Sequence, residues 1–227
     1  GLVLALWLNK LGVRVRIIDK TAAPGTTSRA LAVQARTLEL YRQLDLTDAV
    51  LHYGHQIRTV NLWTEGAHRT HFSLAEIGAA MTPYPFLHIY PQDEHERLLV
   101  ARLEQQGIRV ERQTELLDFA DHGGHVSARL RAGTAEEHCE AGFLIGCDGA
   151  HSTVRETLGI GFPGGTYPHV FYVADIEGRG PAMDGELHVD LDESDILAVF
   201  AMAGAGRARL IGTVRGERAA HAETLRF

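Results

Sequence analysis

Two hydrophobic periods alternate along the chain, one helical and one extended. Residues 1–12, GLVLALWLNKLG, are dominated by strong helix formers and close on glycine, which predicts a helix stopped by Gly12. Residues 13–18 alternate and then turn wholly apolar, a strand that ends at Asp19. Residues 24–28 have loop composition, and a helix is expected over 36–41. Alternating runs at 57–63 and 68–72 flank Glu65-Gly66 and read as antiparallel strands, with a further strand at 86–90 in the same inserted sheet. A long helix opens near Gln92 and runs to Gly107. Strands follow at 108–113, 115–120, 125–131 and 137–145, and after Gly161 the pattern becomes β-rich, with strands at 170–176, 185–189, 196–202 and 209–214.

The opening helix, turn, strand and acid form half of a dinucleotide-binding βαβ pattern. In such units an acidic residue about 20 positions past the glycines bonds the ribose hydroxyls, and Asp19 stands 18 positions after Gly1. Gly1 would then be the last glycine of G-x-G-x-x-G, letting helix and strand pack closely. The alternative is an ordinary Leu-rich helix before an ordinary strand. A second stretch, residues 143–155 (FLIGCDGAHSTVR), ends an apolar run abruptly in Asp148-Gly149. Residues 143–145 read as the end of a buried strand, and Thr153 to Glu156 has capping-box spacing for a following helix. A carboxylate at the carboxyl end of a buried strand suits the mouth of a ligand crevice, whereas Asp-Gly alone equally suits a hairpin turn.

Composition narrows the classes. With 227 residues the chain suffices for one large or two small domains, and its net charge of −7 argues against a nucleic-acid partner. No apolar run is long enough to span a membrane and no basic segment precedes an apolar opening, so a cytoplasmic protein without a membrane partner is expected. Cys139 and Cys147 make neither a disulfide framework nor a zinc spacing. The 13 histidines include i, i+3 pairs at His52/His55, His68/His71 and His122/His125. None has H-E-x-x-H form, and in strands that spacing is expected to send the rings to opposite faces, so no metal is expected. Nor is there a G-x-S-x-G for a Ser-His-Asp hydrolase.

The string Gly146-Cys-Asp-Gly-Ala-His-Ser152 with Val154-Arg155 resembles the "DG" motif of FAD-dependent aromatic hydroxylases, the single-component flavoprotein monooxygenases of the para-hydroxybenzoate and phenol hydroxylase type. Residues 1–11 resemble that family's opening, and Ser28-Arg29-Ala30 with Arg36-Thr37 and Glu39 resembles its next conserved stretch. The resemblance implies an α/β fold: a Rossmann-like FAD/NAD(P)-binding domain, here 1–55 and 92–160, with an inserted β-rich substrate region, here 56–91 and 161–227. It implies FAD as cofactor, contacted by Gly1, Asp19, Lys20, Arg29, Gln92, Asp148 and Gly149, with NAD(P)H as co-substrate. It implies hydroxylation of an aromatic ring with O2 through a flavin C4a-hydroperoxide, so that no protein side chain is assigned as catalytic acid or base. The substrate would lie on the sheet around Phe200, Met202 and Leu210. These are apolar and no arginine is offered there, so a phenol or larger aromatic is expected over a benzoate. The first strand with its leading glycines and the later Gly-Asp motif are absent from the sequence, so a fragment is expected. Two alternatives stand beside this one: a truncated or degenerate flavoprotein without turnover, and an NAD-linked Rossmann dehydrogenase. The small-molecule partner, the choice of NADH or NADPH and a homodimeric state are left open.

Overall fold

The computed structural model describes residues 1–25, 30–165, 170–191 and 196–214. It divides into two compact units, Gly1–Thr26 with Glu96–Gly165, and Thr27–His95 with Thr166–Phe227. The sequence reading had grouped 27–55 with the nucleotide-binding domain. Its strands instead pair with Leu87–Ile89, and Leu31, Ile57 and Ile89 are buried in one cluster, which places this stretch in the second unit.

Unit 1 opens with α1 (Leu2–Lys10), which buries Ala5 and Leu6. Of the strand expected at 13–18 only β1 (Ile17–Ile18) is paired, parallel to β7 (Val110–Glu111). Arg16 reinforces that junction. Its guanidinium is bidentate to Glu111 and also reaches Glu137, and both carboxylates drive its affinity for the proton further up. The return to β7 is made by α5 (Gln92–Gln105), with Asp93 and Glu94 in its first turn and Arg102 in its last, as the helix dipole favours. A meander follows, β8 (Thr114–Asp121), β9 (Val126–Ala132) and β10 (Ala135–Ala141), in the order β10-β9-β8. The buried strand end expected at 143–145 is not observed. Ala141 already pairs with Val126, the first residue of β9, so the partner strand runs out there, and Phe143 is 88% exposed. A short helix, α6 (Thr153–Thr157), closes the unit.

Unit 2 holds two sheets among its described residues. The smaller has the order β2-β6-β3, with β2 (Ala32–Val33), β6 (Leu87–Ile89) and β3 (His55–Ile57), and α2 (Ala35–Arg42) and α3 (Thr47–Tyr53) lie between β2 and β3 in sequence. Residues 57–73 and 86–90 do not make one inserted sheet: Ile57 pairs with Leu87 here, while 59–64 and 67–73 belong to the other. The larger has the order β11-β14-β13-β12-β4-β5: β11 (Val170–Glu177), β14 (Arg207–Val214), β13 (Ile196–Ala201), β12 (Leu187–Leu191), β4 (Thr59–Thr64) and β5 (Ala67–Ser73). Its one parallel seam joins β12 to β4, pairing Leu187 with Val60. The seam is clamped at its start, where Glu186 Oε2 accepts the N–H groups of Arg58 (2.8 Å) and Thr59 (2.7 Å). Across it the Trp63 indole donates to His188 Nδ1 (3.0 Å), so the ring carries its proton on Nε2, which donates to Asp184 (2.9 Å).

Two histidines of this unit each keep a ring nitrogen away from water without a partner. His88 is fully buried with Nε2 against the Val50 carbonyl (2.8 Å), and its Nδ1 has no partner. His95 packs edge-on to Tyr41, with its Nε2 partnerless. Gly54 makes room for His88: an added Cβ would overlap Nε2 and stand 2.7 Å from the Ile89 carbonyl.

Gly54→Ala is expected to destabilise the protein by about 1–3 kcal/mol in urea denaturation, because one of the atoms met is backbone and cannot move aside. A loss under about 0.5 kcal/mol would contradict this. Burial holds both His88 and His95 below the ordinary imidazole pKa. The unfolded chain therefore binds protons near pH 6.5 that the folded chain refuses. Stability should be full above that pH and fall as the pH drops below it towards the folded values. His95→Phe should reduce this slope, and an unchanged slope would remove His95 from the account.

Candidate functional site

Asp19 is fixed through its backbone and through both carboxylate oxygens. Its N–H donates to Glu111 (2.9 Å) and its carbonyl accepts from Thr114 (3.0 Å), so the backbone continues the β1–β7 pairing. Its Oδ1 accepts from the Thr21 N–H (2.8 Å) and hydroxyl (2.7 Å), a turn that Asp forms with the residue two ahead. Its Oδ2 accepts from Arg112 (3.2 Å), whose other nitrogen reaches Glu96 (3.0 Å). The carboxylate thus has a set rotamer while its side chain stays 40% exposed, with acceptor capacity remaining on the open side. Its chain neighbour Lys20 lines an open depression of about 370 Å³ together with Ala22, Gln113, Glu115, Arg131 and Gly133.

Gly1 brings this stretch to the second one. A Cβ there would stand 3.7 Å from both Ile17 Cδ1 and Cys147 Cβ, ordinary contact, so these neighbours do not demand glycine. The close approach is at Gly146, which the sequence reading passed over: a Cβ would meet Val154 at 2.7 Å.

Asp148-Gly149 is not a hairpin. Gly149 takes φ +79° and opens a single 3₁₀ turn, Gly149–His151. The helix cap is Ser152, one residue before the Thr153 that the capping-box spacing indicated, and its Oγ accepts from the Arg155 N–H (3.0 Å). Asp148 stands behind that cap, accepting from the Ser152 hydroxyl (2.5 Å) and the Val154 N–H (3.3 Å). Desolvation works against the ionised carboxylate, but these hydrogen bonds outweigh it and hold the pKa below the usual range. Arg155 completes the knot, donating to the carbonyls of Gly149 (3.2 Å) and Ala150 (2.7 Å) and lying over Phe162. Asp148 therefore shapes the turn, and the turn presents its backbone.

In unit 2, Gln92 opens α5 with an exposed side chain, and its N–H donates to Ala30 (3.1 Å). Arg29 lies outside the described residues. In the large sheet, register sets one face in rows. Asp175, Arg209, Phe200, Leu187 and Val60 form one row; Val173, Ile211, Ala198, Val189 and Leu62 the next; Phe171, Thr213, Ile196 and Leu191 the third. Phe200 belongs to this face and packs with Met202 in the core cluster. Leu210 pairs with Val199 and Ala174 and so points to the opposite face, away from Phe200. Arg209 lies directly beside Phe200, 3% exposed and engaged within the sheet, so it is not offered to a ligand on this face. It donates to both oxygens of Asp175, at 2.6 and 2.9 Å, and holds that carboxylate below its usual pKa.

The histidine pairs also depart from expectation. His68 and His71 stack at 6.1 Å, because a bulge opposite Leu62/Trp63 gives β5 an extra residue and returns both rings to one face. His122 and His125 stack across the β8–β9 turn at 4.7 Å. Among the described residues no group of three candidate ligands could hold a metal ion.

A family model described as "FAD binding domain" matches residues 1–224. A 6-methylpretetramide 4-monooxygenase of Streptomyces rimosus is 40% identical over 160 residues, covering 70% of this chain and 28% of that protein. Aklavinone 12-hydroxylase of Streptomyces peucetius is 34% identical over 195 residues, covering 78% and 40%. Among solved structures, p-nitrophenol 4-monooxygenase of Pseudomonas putida superposes with a TM-score of 0.86 at 19% identity, over 98% of this chain and 58% of that one. Aklavinone-11 hydroxylase in complex with FAD and aklavinone does so with 0.77 at 25%, over 100% and 45%. The chain thus spans well under half the length of these curated relatives.

Asp148→Ala should cost about 1 kcal/mol through the weakened cap and speed hydrogen exchange at the Val154 and Arg155 amides. Ser152→Ala should do the same at Arg155. Unchanged protection in both variants would show that the knot does not hold the turn.

Proposed function

The chain belongs to the FAD-binding domain family, and we propose on that premise that the whole protein is a flavin-dependent monooxygenase hydroxylating a phenolic or larger aromatic ring. The observation that carries the reading is Asp19, held rigid at the end of a parallel strand with acceptor capacity still open. That acceptor fits a ribose: two vicinal hydroxyls can donate to one fixed carboxylate, with Lys20 next to it in the chain. In this reading the first-turn N–H groups of α1, which Gly1 leads into, are assigned to the pyrophosphate. The Gly149 turn, fixed by Asp148, Ser152 and Arg155, offers backbone groups in the same unit. FAD, when bound, supplies the oxygen chemistry, with NAD(P)H as the electron source and O2 as co-substrate. The chain's own residues hold the cofactor, orient the ring on the apolar sheet face and exclude water from it. Phe200 and Met202 are the residues of that face assigned to substrate in this reading; Leu210 is assigned to the opposite face.

The whole protein as purified should show a flavin absorption spectrum and release FAD on denaturation. It should oxidise NAD(P)H faster with a phenol present. Asp19→Ala should weaken FAD binding at least roughly tenfold, by the loss of charge-assisted hydrogen bonds to the ribose, with thermal unfolding of the apoprotein measured beside it to account for the lost Thr21 and Arg112 bonds. A protein that stays colourless with added FAD would sink the proposal. Unaltered FAD affinity in Asp19→Ala would remove the ribose role alone.

A further inference from the structure

Asp175 lies on β11, the edge strand of the large sheet, and Arg209 opposite it on β14. Behind Arg209 lie Phe200, Leu187 and Val60, all in the core cluster. Along β11 next to Asp175 the same face is apolar and accessible, with Val173 and Phe171 exposed by 45% and 55%. The pair is unequal in access. The Arg209 side chain is 3% exposed and already engaged by both oxygens of Asp175, whereas the Asp175 side chain is 54% exposed. Asp93 contributes a second negative charge within electrostatic reach of the same guanidinium. A planar ring lying on this face would meet aliphatic and aromatic walls and, at their border, the outer side of one carboxylate. The cation behind it is already matched.

We propose that Asp175, positioned by Arg209, determines substrate specificity by accepting a hydrogen bond from the hydroxyl of a neutral aromatic ring and repelling a carboxylated one. This rests on the aromatic-hydroxylase reading above and names its substrate class. A phenolic O–H gives the exposed carboxylate the donor it lacks on that side, a charge-assisted bond of the stronger kind. A ring carboxylate would bring two negative charges together over an apolar surface, where screening by water is weakest. Arg209 has a separate task, keeping Asp175 in place. A lone aspartate on this exposed strand would otherwise sample several rotamers.

The test uses a matched pair, para-hydroxybenzoate and its methyl ester, titrated into the whole protein at about pH 7, where the acid is charged and both phenols are largely neutral. Affinity is read by calorimetry, which needs neither turnover nor flavin. The wild-type protein should bind the ester at least roughly tenfold more tightly than the acid, the size expected for one unfavourable charge contact. Asp175→Asn should bring the ratio close to one or invert it, while Asp175→Glu should keep the wild-type preference, a pattern that general loosening would not produce. If Asp175→Asn fails to fold because Arg209 is left unmatched, the double variant Asp175→Asn/Arg209→Gln removes both charges and should still lose the preference. The proposal is overturned if the acid binds the wild-type protein as tightly as the ester, if neither ligand binds, or if the charge-removing variants keep the wild-type ratio. Flavin content of the same samples separates the two readings: absence of FAD counts against the monooxygenase, whereas the affinity ratio judges Asp175.

Discussion

The second unit depends on one parallel seam between strands far apart in sequence, β4 and β12. Leu187 faces Val60 across it, and both are nearly sealed from water. Parallel strands bury both faces more often than antiparallel ones, and here the seam is further fixed by the Glu186 carboxylate and by the Trp63–His188–Asp184 relay. Its register decides which residues share a face with Phe200. A slip of one residue would send Val60 and Leu62 to the other side and separate the apolar rows that now run across the sheet.

In the first unit the two acids singled out from sequence play different parts. Asp19 is held by its neighbours and keeps capacity for a further donor, which is what a binding carboxylate needs. Asp148 spends its oxygens on Ser152 and Val154, which makes it a builder of the turn. The two differ in how much of their hydrogen-bonding capacity the fold itself consumes. Asp175 follows the Asp19 pattern in the other unit: a buried arginine holds one side while the other remains open.

Local pattern was readable because it is local. The meander from β8 to β10, the helix from Gln92 and the four strands after residue 170 follow period and punctuation, and they appear close to the expected positions. What failed depended on partners distant in sequence. Residues 143–145 are apolar enough for a buried strand, but β9 has already run out beside them. His68 and His71 have the spacing of opposite faces, and a bulge set by the partner strand overrides it. α3 escaped notice because it is short and starts at Leu46 without a side-chain cap, and Arg209 because its partner lies 34 residues away. Gly146 carried no signal beyond being a glycine; only the position of Val154 shows why the space is needed.

The seam also imposes an order on synthesis. The described strands and helices of the first unit are complete once residue 157 has been made, but β4 and β5 cannot acquire their parallel neighbour until β12 emerges. During that interval the edge of β4 that will pair with β12 has no strand beside it while more than a hundred further residues are added. Nascent chains with such unpaired edges are natural clients for holding chaperones. Translation speed between β5 and β12 would then affect the yield of folded protein without altering any native contact.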